Sequence, residues 1–370
     1  MRGLARVDPL HARGAAMALV SAILFGASTP FSKILLRQSG PLILAALLYI
    51  GAGLALVVVL SLRRRSPSDG AAEAALRAAD LPLLAAATLC GAILGPSLMM
   101  FGLLRVSAVT GSLLLNLEPP LTIFLAIVWF REHLGMRQVG AAALILAGTV
   151  LVGYRPGELA SQWPGIVAVA FACLAWSIDT NLNQRLSLRD PVALGAIKGL
   201  LGGFSILVVA LVAGEGRPSP RVLASGLALG TITYGASIVL FFRALRQLGA
   251  ARVAAYFATA PFVGALTSVV VLDEKLRGLD LAAMGLMAAG LGMLLHETHA
   301  HEHVHEDMEH DHAHAHDEHH DHVHEPGVAT ADRHAHPHRH APLVHAHPHA
   351  PDLHHRHRHD QGPSDSSRGS

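Results

Sequence analysis

The sequence is short of charge, aromatics and cysteine. Asp, Glu, Lys and Arg make up 15% of its 370 residues, Phe, Trp and Tyr 5%, and the only cysteines are Cys90 and Cys173. Low charge together with 52% hydrophobic residues and a mean hydropathy of +0.42 excludes an ordinary soluble enzyme. A formal net charge of +1 leaves no basic excess for nucleic acid. Cys90 and Cys173 form neither a CxxC pair nor a disulfide framework, and each reads as a small core hydrophobe inside an apolar run. The apolar body also lacks a nucleophile–base arrangement, a phosphate loop and a metalloprotease motif, so nothing in it points to an enzyme.

What it has is long apolar runs. Ten fit membrane spans: Gly14–Leu36, Pro41–Leu62, Asp80–Leu104, Ser107–Phe130, Met136–Val152, Trp163–Asn183, Pro191–Ala213, Pro220–Leu245, Ala250–Leu272 and Gly278–Leu295. The opening of the first could pass for a signal-peptide core, but a later internal span resembles it, so it is read as a retained helix. In the longest connection, AAEAALRAA predicts a brief interfacial helix. Lys and Arg are more numerous in the loops holding Arg63-Arg64-Arg65, Arg131, Arg137, Arg185 and Arg189 than in those holding Lys33, Arg37, Arg105 and Lys275. That bias predicts a bacterial-type inner membrane protein with both termini in the cytoplasm.

The organising stretch is Ser107–Leu134, SAVTGSLLLNLEPPLTIFLAIVWFREHL. Between Ser107 and Phe130 the only ionisable side chain is Glu118, near the middle. A carboxyl at bilayer depth costs roughly 3 kcal/mol or more and so normally faces a protein interior or a watery cavity. Pro119 and Pro120 follow it, remove two backbone donors and free two carbonyls. A charge beside a broken helix at mid-membrane is the usual form of a substrate or ion site. The competing reading is a neutral Glu118 that only joins two helices.

The chain also repeats itself. Offset by 150, Ala22, Pro41 and Gly53 meet Ala172, Pro191 and Gly203; offset by 142, Pro119, Glu132 and Leu134 meet Pro261, Glu274 and Leu276. Each unit holds five spans, and an odd number inverts the second relative to the first. Inverted repeats of this kind build carriers. The two five-helix units, the REHL and DEKL endings of the fourth and ninth spans, and Pro119 and Pro261 resemble the EamA-type permeases of the drug/metabolite transporter superfamily, over about Gly14–Leu295. The resemblance implies a ten-helix secondary carrier, often an exporter of small metabolites or toxic compounds. It also implies that Glu132 and Glu274 are hallmarks of structure or gating. Cargo does not transfer with it.

Other polar residues extend the candidate site. Asp179, with Asn181 and Asn183 nearby, Lys33 and Lys198 are secondary candidates, and Lys198 has Asp179 or Glu118 as its partner. Asn116 is a candidate for the carbonyls freed by the prolines. Trp176, Tyr234 and Tyr256 read as packing, and the GxxxG spacings Gly91/Gly95, Gly199/Gly203 and Gly226/Gly230 as close helix contact.

The tail is of another kind. All histidines except His11 and His133, out of 26, lie from His296 onward. Pro337, Pro342, Pro348 and Pro351 and the absence of apolar periodicity predict disorder. HxH alternation with interleaved Asp and Glu suits Zn, Ni, Co or Cu, with ligands among His301, His303, His305, His310, His312, His314, His316, His319, His320, His322 and His324.

The expected organisation is an N-terminal lead at 1–13, a first repeat at 14–154, a linker at 155–162, a second repeat at 163–296 and a disordered histidine-rich tail at 297–370. The fold class is all-α, ten transmembrane helices in two inverted five-helix repeats. The expected function is a secondary transporter, an exporter of small metabolites or toxic compounds, needing no cofactor and carrying a metal-binding regulatory tail. The rivals are a carrier of Ni, Co, Zn or their chelates and a membrane-anchored metal store or sensor. The expected partners are a small-molecule substrate, the lipid bilayer and metal ions, with no nucleic acid; a homodimer is left open.

Overall fold

The computed structural model describes residues 9–65, 76–130, 136–154, 159–186, 189–248, 250–295 and, in the tail, 299–305, 308–314, 334–340 and 343–349. Every apolar run is helical. Among the described residues eight helices are long and apolar enough to cross a bilayer: Ala12–Leu35, Pro41–Arg63, Ala78–Arg105, Ala108–Leu125, Met136–Gly153, Ser161–Asn183, Pro191–Val212 and Pro220–Ala244. Two shorter apolar helices, Ala260–Leu272 and Gly278–Leu294, complete the ten spans. The ninth, expected as one helix, is broken: Ala250–Phe257 ends in a turn before Ala260–Leu272 begins. Pro261 lies in the first turn of the second piece, where its missing N–H costs no intrahelical bond. Of AAEAALRAA, residues 71–75 lie outside the described ones; Leu76 and Arg77 are not helical, and Ala78–Asp80 forms a 3₁₀ turn leading into the third span.

The two units match in backbone detail. The third span contains a π-helical segment at Thr88–Leu94, and the eighth contains one at Gly230–Ala236. These segments coincide at the 142-residue offset. A π-segment widens the helix and leaves carbonyls without an i+4 partner. In the fourth span Ser107 caps the helix, its Oγ accepting from the Thr110 amide at 3.1 Å. The α-helix gives way to a 3₁₀ turn at Leu115–Leu117 and restarts at Glu118. Pro119 and Pro120 thus sit in a first helical turn, which they tolerate. They set the break at the carboxyl.

Small residues bring the spans together, and the fit leaves no room for a side chain. A Cβ on Gly203 would lie 2.8 Å from the Ile50 amide nitrogen and 3.0 Å from the Ala46 carbonyl oxygen. One on Gly199 would lie 2.9 Å from Gly53 Cα. The seventh span therefore lies backbone to backbone on the second, and Gly226 and Gly230 bring the eighth against Leu47 and Leu48 on its other side. Around this contact the core of Ile43, Leu44, Leu48, Met100, Leu103 and Ile206 closes. Cys173 is buried beside it, its Sγ 3.5 Å from the Leu114 carbonyl, as expected of a small core residue; Cys90, expected to be the same, is only partly buried, and both are free thiols.

In the tail the described residues lie in four strands: His299–His305 pairs with Leu343–His349, and Met308–His314 with His334–His340, both antiparallel. The alternating HxH pattern has the period of two that an extended backbone requires, and two such stretches of matching length satisfy each other's backbone groups. The register sets His301 opposite His347 and His303 opposite His345 in one ladder, and His310 opposite His338 and His312 opposite His336 in the other.

Gly203→Val should lower the melting temperature of the detergent-solubilised protein, with a cost of about 1–3 kcal/mol for overpacking. Gly285→Ala, where an added Cβ has nothing within 4 Å, should leave it unchanged or slightly higher.

Candidate substrate cavity

One face of the molecule is closed by charged side chains that cap helix ends. After the seventh span, Gly214 turns the chain with φ +78° and presents Glu215, whose carboxylate accepts from the Leu42 and Ile43 amides at 3.1 and 2.9 Å. After the ninth, Asp273 turns it with φ 54°, and Glu274 accepts from the Ala108 and Val109 amides, both at 2.8 Å. Asp is one of the few side chains that tolerate this left-handed backbone. Each carboxylate sits at the positive N-terminal end of a helix from the first unit. Cations close the opposite kind of end. Lys33 donates to the carbonyls of Leu103 and, at 2.8 Å, Val106, while Arg277 donates to those of Tyr154 at 2.8 Å and Val152 at 3.1 Å. Lys33 is thus a helix-end cap remote from the candidate site.

The other face is tied differently, through Arg189–Asp80 at 2.8 Å and Arg63–Asp190 at 3.8 Å. From this side a cavity of about 610 Å³ reaches to the middle of the spans. Pro191 and Asn183, near span ends, line its outer part; Phe25, Tyr49, Trp176 and Glu118 lie deeper. That volume is of the size that takes a small organic molecule.

The structure brings together Glu118, Asp179 and Lys198 on the cavity wall. Lys198 Nζ donates to Asp179 Oδ1 at 2.5 Å, resolving the choice left by the sequence, and lies 3.4 Å from Asn183 Oδ1. Glu118 has no ion pair among the described residues. Its carboxylate is 3.5 Å from Thr180 Oγ1, the outer limit of a hydrogen bond. Its carbonyl accepts from Ser177 Oγ at 3.0 Å and Thr122 Oγ1 at 2.9 Å, so the sixth span holds the restart of the fourth in place. Asn181 strengthens that contact, donating to the Thr122 carbonyl at 3.2 Å. Asn116 does not reach the cavity or the carbonyls freed by the prolines, which belong to Leu115 and Asn116 itself. It is buried and donates to the Leu113 carbonyl at 3.1 Å, with Met287 Sδ at 3.6 Å.

Aromatic residues supply most of the remaining wall. Trp176 and Tyr234, expected to be packing residues, line it; Tyr256 packs instead beside Ala18, Ala244 and Val253. Tyr49, Phe25, Phe242 and Phe257 also line it, and nothing in the sequence singled them out. Ring contacts link them, Tyr49 to Tyr234 at 5.8 Å, Tyr234 to Phe25 at 5.3 Å and Phe25 to Phe257 at 5.3 Å. The π-segment of the third span anchors two of the rings: the Gly91 carbonyl accepts both Tyr49 Oη at 2.8 Å and Trp176 Nε1 at 3.0 Å. Gly91 also faces Asp179, and Gly95 faces the Trp176 indole, each leaving no room for a Cβ. This GxxxG pair therefore shapes the cavity wall as well as packing a helix.

Glu132 lies outside the described residues, as do His316, His319, His320, His322 and His324. His301, His303, His305, His310, His312 and His314 lie in the tail strands. Among the described residues no group of three or more His, Cys, Asp or Glu is gathered to hold a metal ion.

Comparison with known proteins agrees with the two-unit fold. Residues 12–154 and 163–296 each match the EamA-like transporter family. The chain is similar to an "Uncharacterized transporter" of Methanothermobacter thermautotrophicus, 29% identical over 69% of this chain and 78% of that protein. It is similar to the S-adenosylmethionine/S-adenosylhomocysteine transporter of Chlamydia trachomatis, 22% identical over 75% and 88% of the two chains. A "Probable terminal-alkyne amino-acid exporter" of Streptantibioticus cattleyicolor is 25% identical over 60% and 75%. A crystal structure with 19% identity superposes with a TM-score of 0.55, covering 76% of this chain and 96% of that one, and shares the fold.

Removing one member of the Asp179–Lys198 pair strands a charge inside the protein. Lys198→Met should cost about 3–5 kcal/mol, and the double variant Asp179→Asn/Lys198→Met should recover most of it. Thermal unfolding of the three purified proteins measures this; equal melting temperatures for Lys198→Met and the parent would show that the pair does not form.

Proposed function

The chain belongs to the EamA-like transporter family, and on that footing we propose that it is a secondary carrier exporting small organic molecules by alternating access. The observation that carries this reading is the cavity at mid-span depth, open toward one face and closed on the other by caps that cross between the two units. Glu118 is the central binding residue, with Asp179, Lys198 and Asn183 in support. The excess of arginine in the loops on the open face supports placing that face in the cytoplasm of a bacterial-type inner membrane, and on that reading the state is inward-facing. Rocking the units would break the contacts of Glu215 and Glu274 and open the opposite side. A lone carboxyl at this depth suits coupling to protons.

An organic cargo is favoured over a metal ion by the lining itself, in which aromatic rings outnumber oxygen ligands and one of the two carboxylates is already held by a lysine. The relatives named as transporters of S-adenosylmethionine and as an amino-acid exporter support a small-molecule cargo without identifying it. The histidine tail is a separate device that binds divalent transition metal and regulates or buffers. Directly opposed histidines in both ladders support that role, because residues facing each other across an antiparallel pair share one side of the sheet.

The test compares cells expressing the full chain, a truncation after Leu295 and Glu118→Gln. Glu118→Gln should lose tolerance to exported organic toxicants at least tenfold while still retaining cell-bound Zn, Ni, Co or Cu. The truncation should lose the metal retention and keep most of the tolerance. Full tolerance in Glu118→Gln would remove the central residue; a metal shift abolished by Glu118→Gln would make metal the cargo. Tail binding of Zn should strengthen as pH rises through ~6.5, where imidazole gives up its proton, and calorimetry at pH 5.5 and 7.5 on the full chain and the truncation reads this directly.

A further inference from the structure

The ionisable side chains lining the cavity do not balance. Glu118, Asp179 and Lys198 supply two carboxylates and one ammonium. Lys198 is consumed by Asp179 at 2.5 Å, with Asn183 as a second contact. Among the described residues the Glu118 carboxylate keeps only the long contact to Thr180. An ionised carboxylate at this depth needs a counter-charge, and none of the described side chains provides it. The counter-charge can come from a ligand.

The aromatic wall adds a second, independent constraint. The polar tips of Tyr49 and Trp176 are both turned onto the Gly91 carbonyl, so what these residues offer the cavity is ring surface. Rings around an unpaired carboxylate attract a cation through their negative faces and an apolar body through dispersion and desolvation. An anionic ligand would meet the uncompensated Glu118 and find the one lysine already engaged. A zwitterion would have to take Lys198 away from Asp179, stranding that carboxylate in turn.

Resting on the carrier reading above, we propose that the substrates are amphipathic organic monocations, a protonated or quaternary nitrogen joined to a flat or bulky apolar body, with Glu118 as the counter-charge and the Tyr49–Trp176–Tyr234 wall as the apolar seat. A cavity of about 610 Å³ accommodates a bicyclic or tricyclic cation with room to turn. Selection would then be by charge and apolar volume, and many unrelated amines would satisfy it.

The test separates binding from transport. Binding of N-benzylquinolinium, its neutral isostere 2-benzylquinoline, the anion 2-naphthylacetate and the zwitterion tryptophan is measured by equilibrium dialysis on the full solubilised chain. The cation should bind at least tenfold more tightly than each of the other three. Glu118→Gln should remove that preference while leaving 2-benzylquinoline affinity within about twofold, and Glu118→Asp should retain part of it. Matching thermal unfolding curves guard against misfolded variants. Equal or tighter binding of the neutral, anionic or zwitterionic probe overturns the proposal, as does a cation affinity untouched in Glu118→Gln, or no binding of any probe. Flux is read separately in proteoliposomes loaded with the tightest probe. Chain-dependent flux of a non-cation would overturn the substrate class and keep the carrier; Glu118-dependent cation binding without chain-dependent flux would keep the site and overturn the carrier.

Discussion

Helix ends are the constraint on which this structure rests. Ten spans expose terminal amides and carbonyls at the edges of a medium that offers few other partners. On one face those groups are met by charged side chains from elsewhere in the chain: Glu215 and Glu274 on the amides that begin the second and fourth spans, Lys33 and Arg277 on the carbonyls that end the third and fifth. Glu215 and Glu274 come from the second unit and cap helices of the first. Their hold on that face is what leaves the cavity with one mouth. Left-handed turns at Gly214 and Asp273 aim both carboxylates, so the closure depends on two backbone conformations as much as on charge.

Within the bundle, departures from the regular α-helix make the site. A 3₁₀ turn and a pair of prolines restart the fourth span at Glu118, and the sixth span fixes the restart through Ser177 and Asn181. A π-segment in the third span frees the Gly91 carbonyl, which then orients Tyr49 and Trp176. Each irregularity lines the cavity or abuts it, which is where broken helices are tolerated in a membrane.

Much of this was legible in the sequence, though unevenly. Ten apolar runs, the five-span repeat and the Glu-Pro-Pro signal stood out because each contrasts with an apolar background, and Glu118, Asp179 and Lys198 do meet at the cavity. Lys33 and Asn116 looked equally eligible, since a polar residue in an apolar run says nothing about which way it points. Tyr49, Phe25, Phe242 and Phe257 were invisible for the converse reason, as one aromatic in an apolar helix resembles any other. Glu215 stood in a short loop where acidic residues are ordinary; only the three-dimensional approach of the second span gives it a role.

The π-segments repeat at the same offset in both units, and the carboxyl does not. Offset by 142, Glu118 meets Ala260, beside Pro261 as Glu118 is beside Pro119. A backbone built twice thus carries this carboxyl once. Turning the molecule over about its pseudo-two-fold axis does not return the same object, so the inward- and outward-open forms cannot be equal in energy by symmetry. A charge near the middle of the membrane also feels the electric field across it, worth about 2.3 kcal/mol per elementary charge per 100 mV for a full crossing. On the carrier reading proposed above, a charged ligand reaching Glu118 from one side or the other would traverse a different share of that field. A carrier of this build would therefore be rectified by voltage, running more readily in one direction than in reverse.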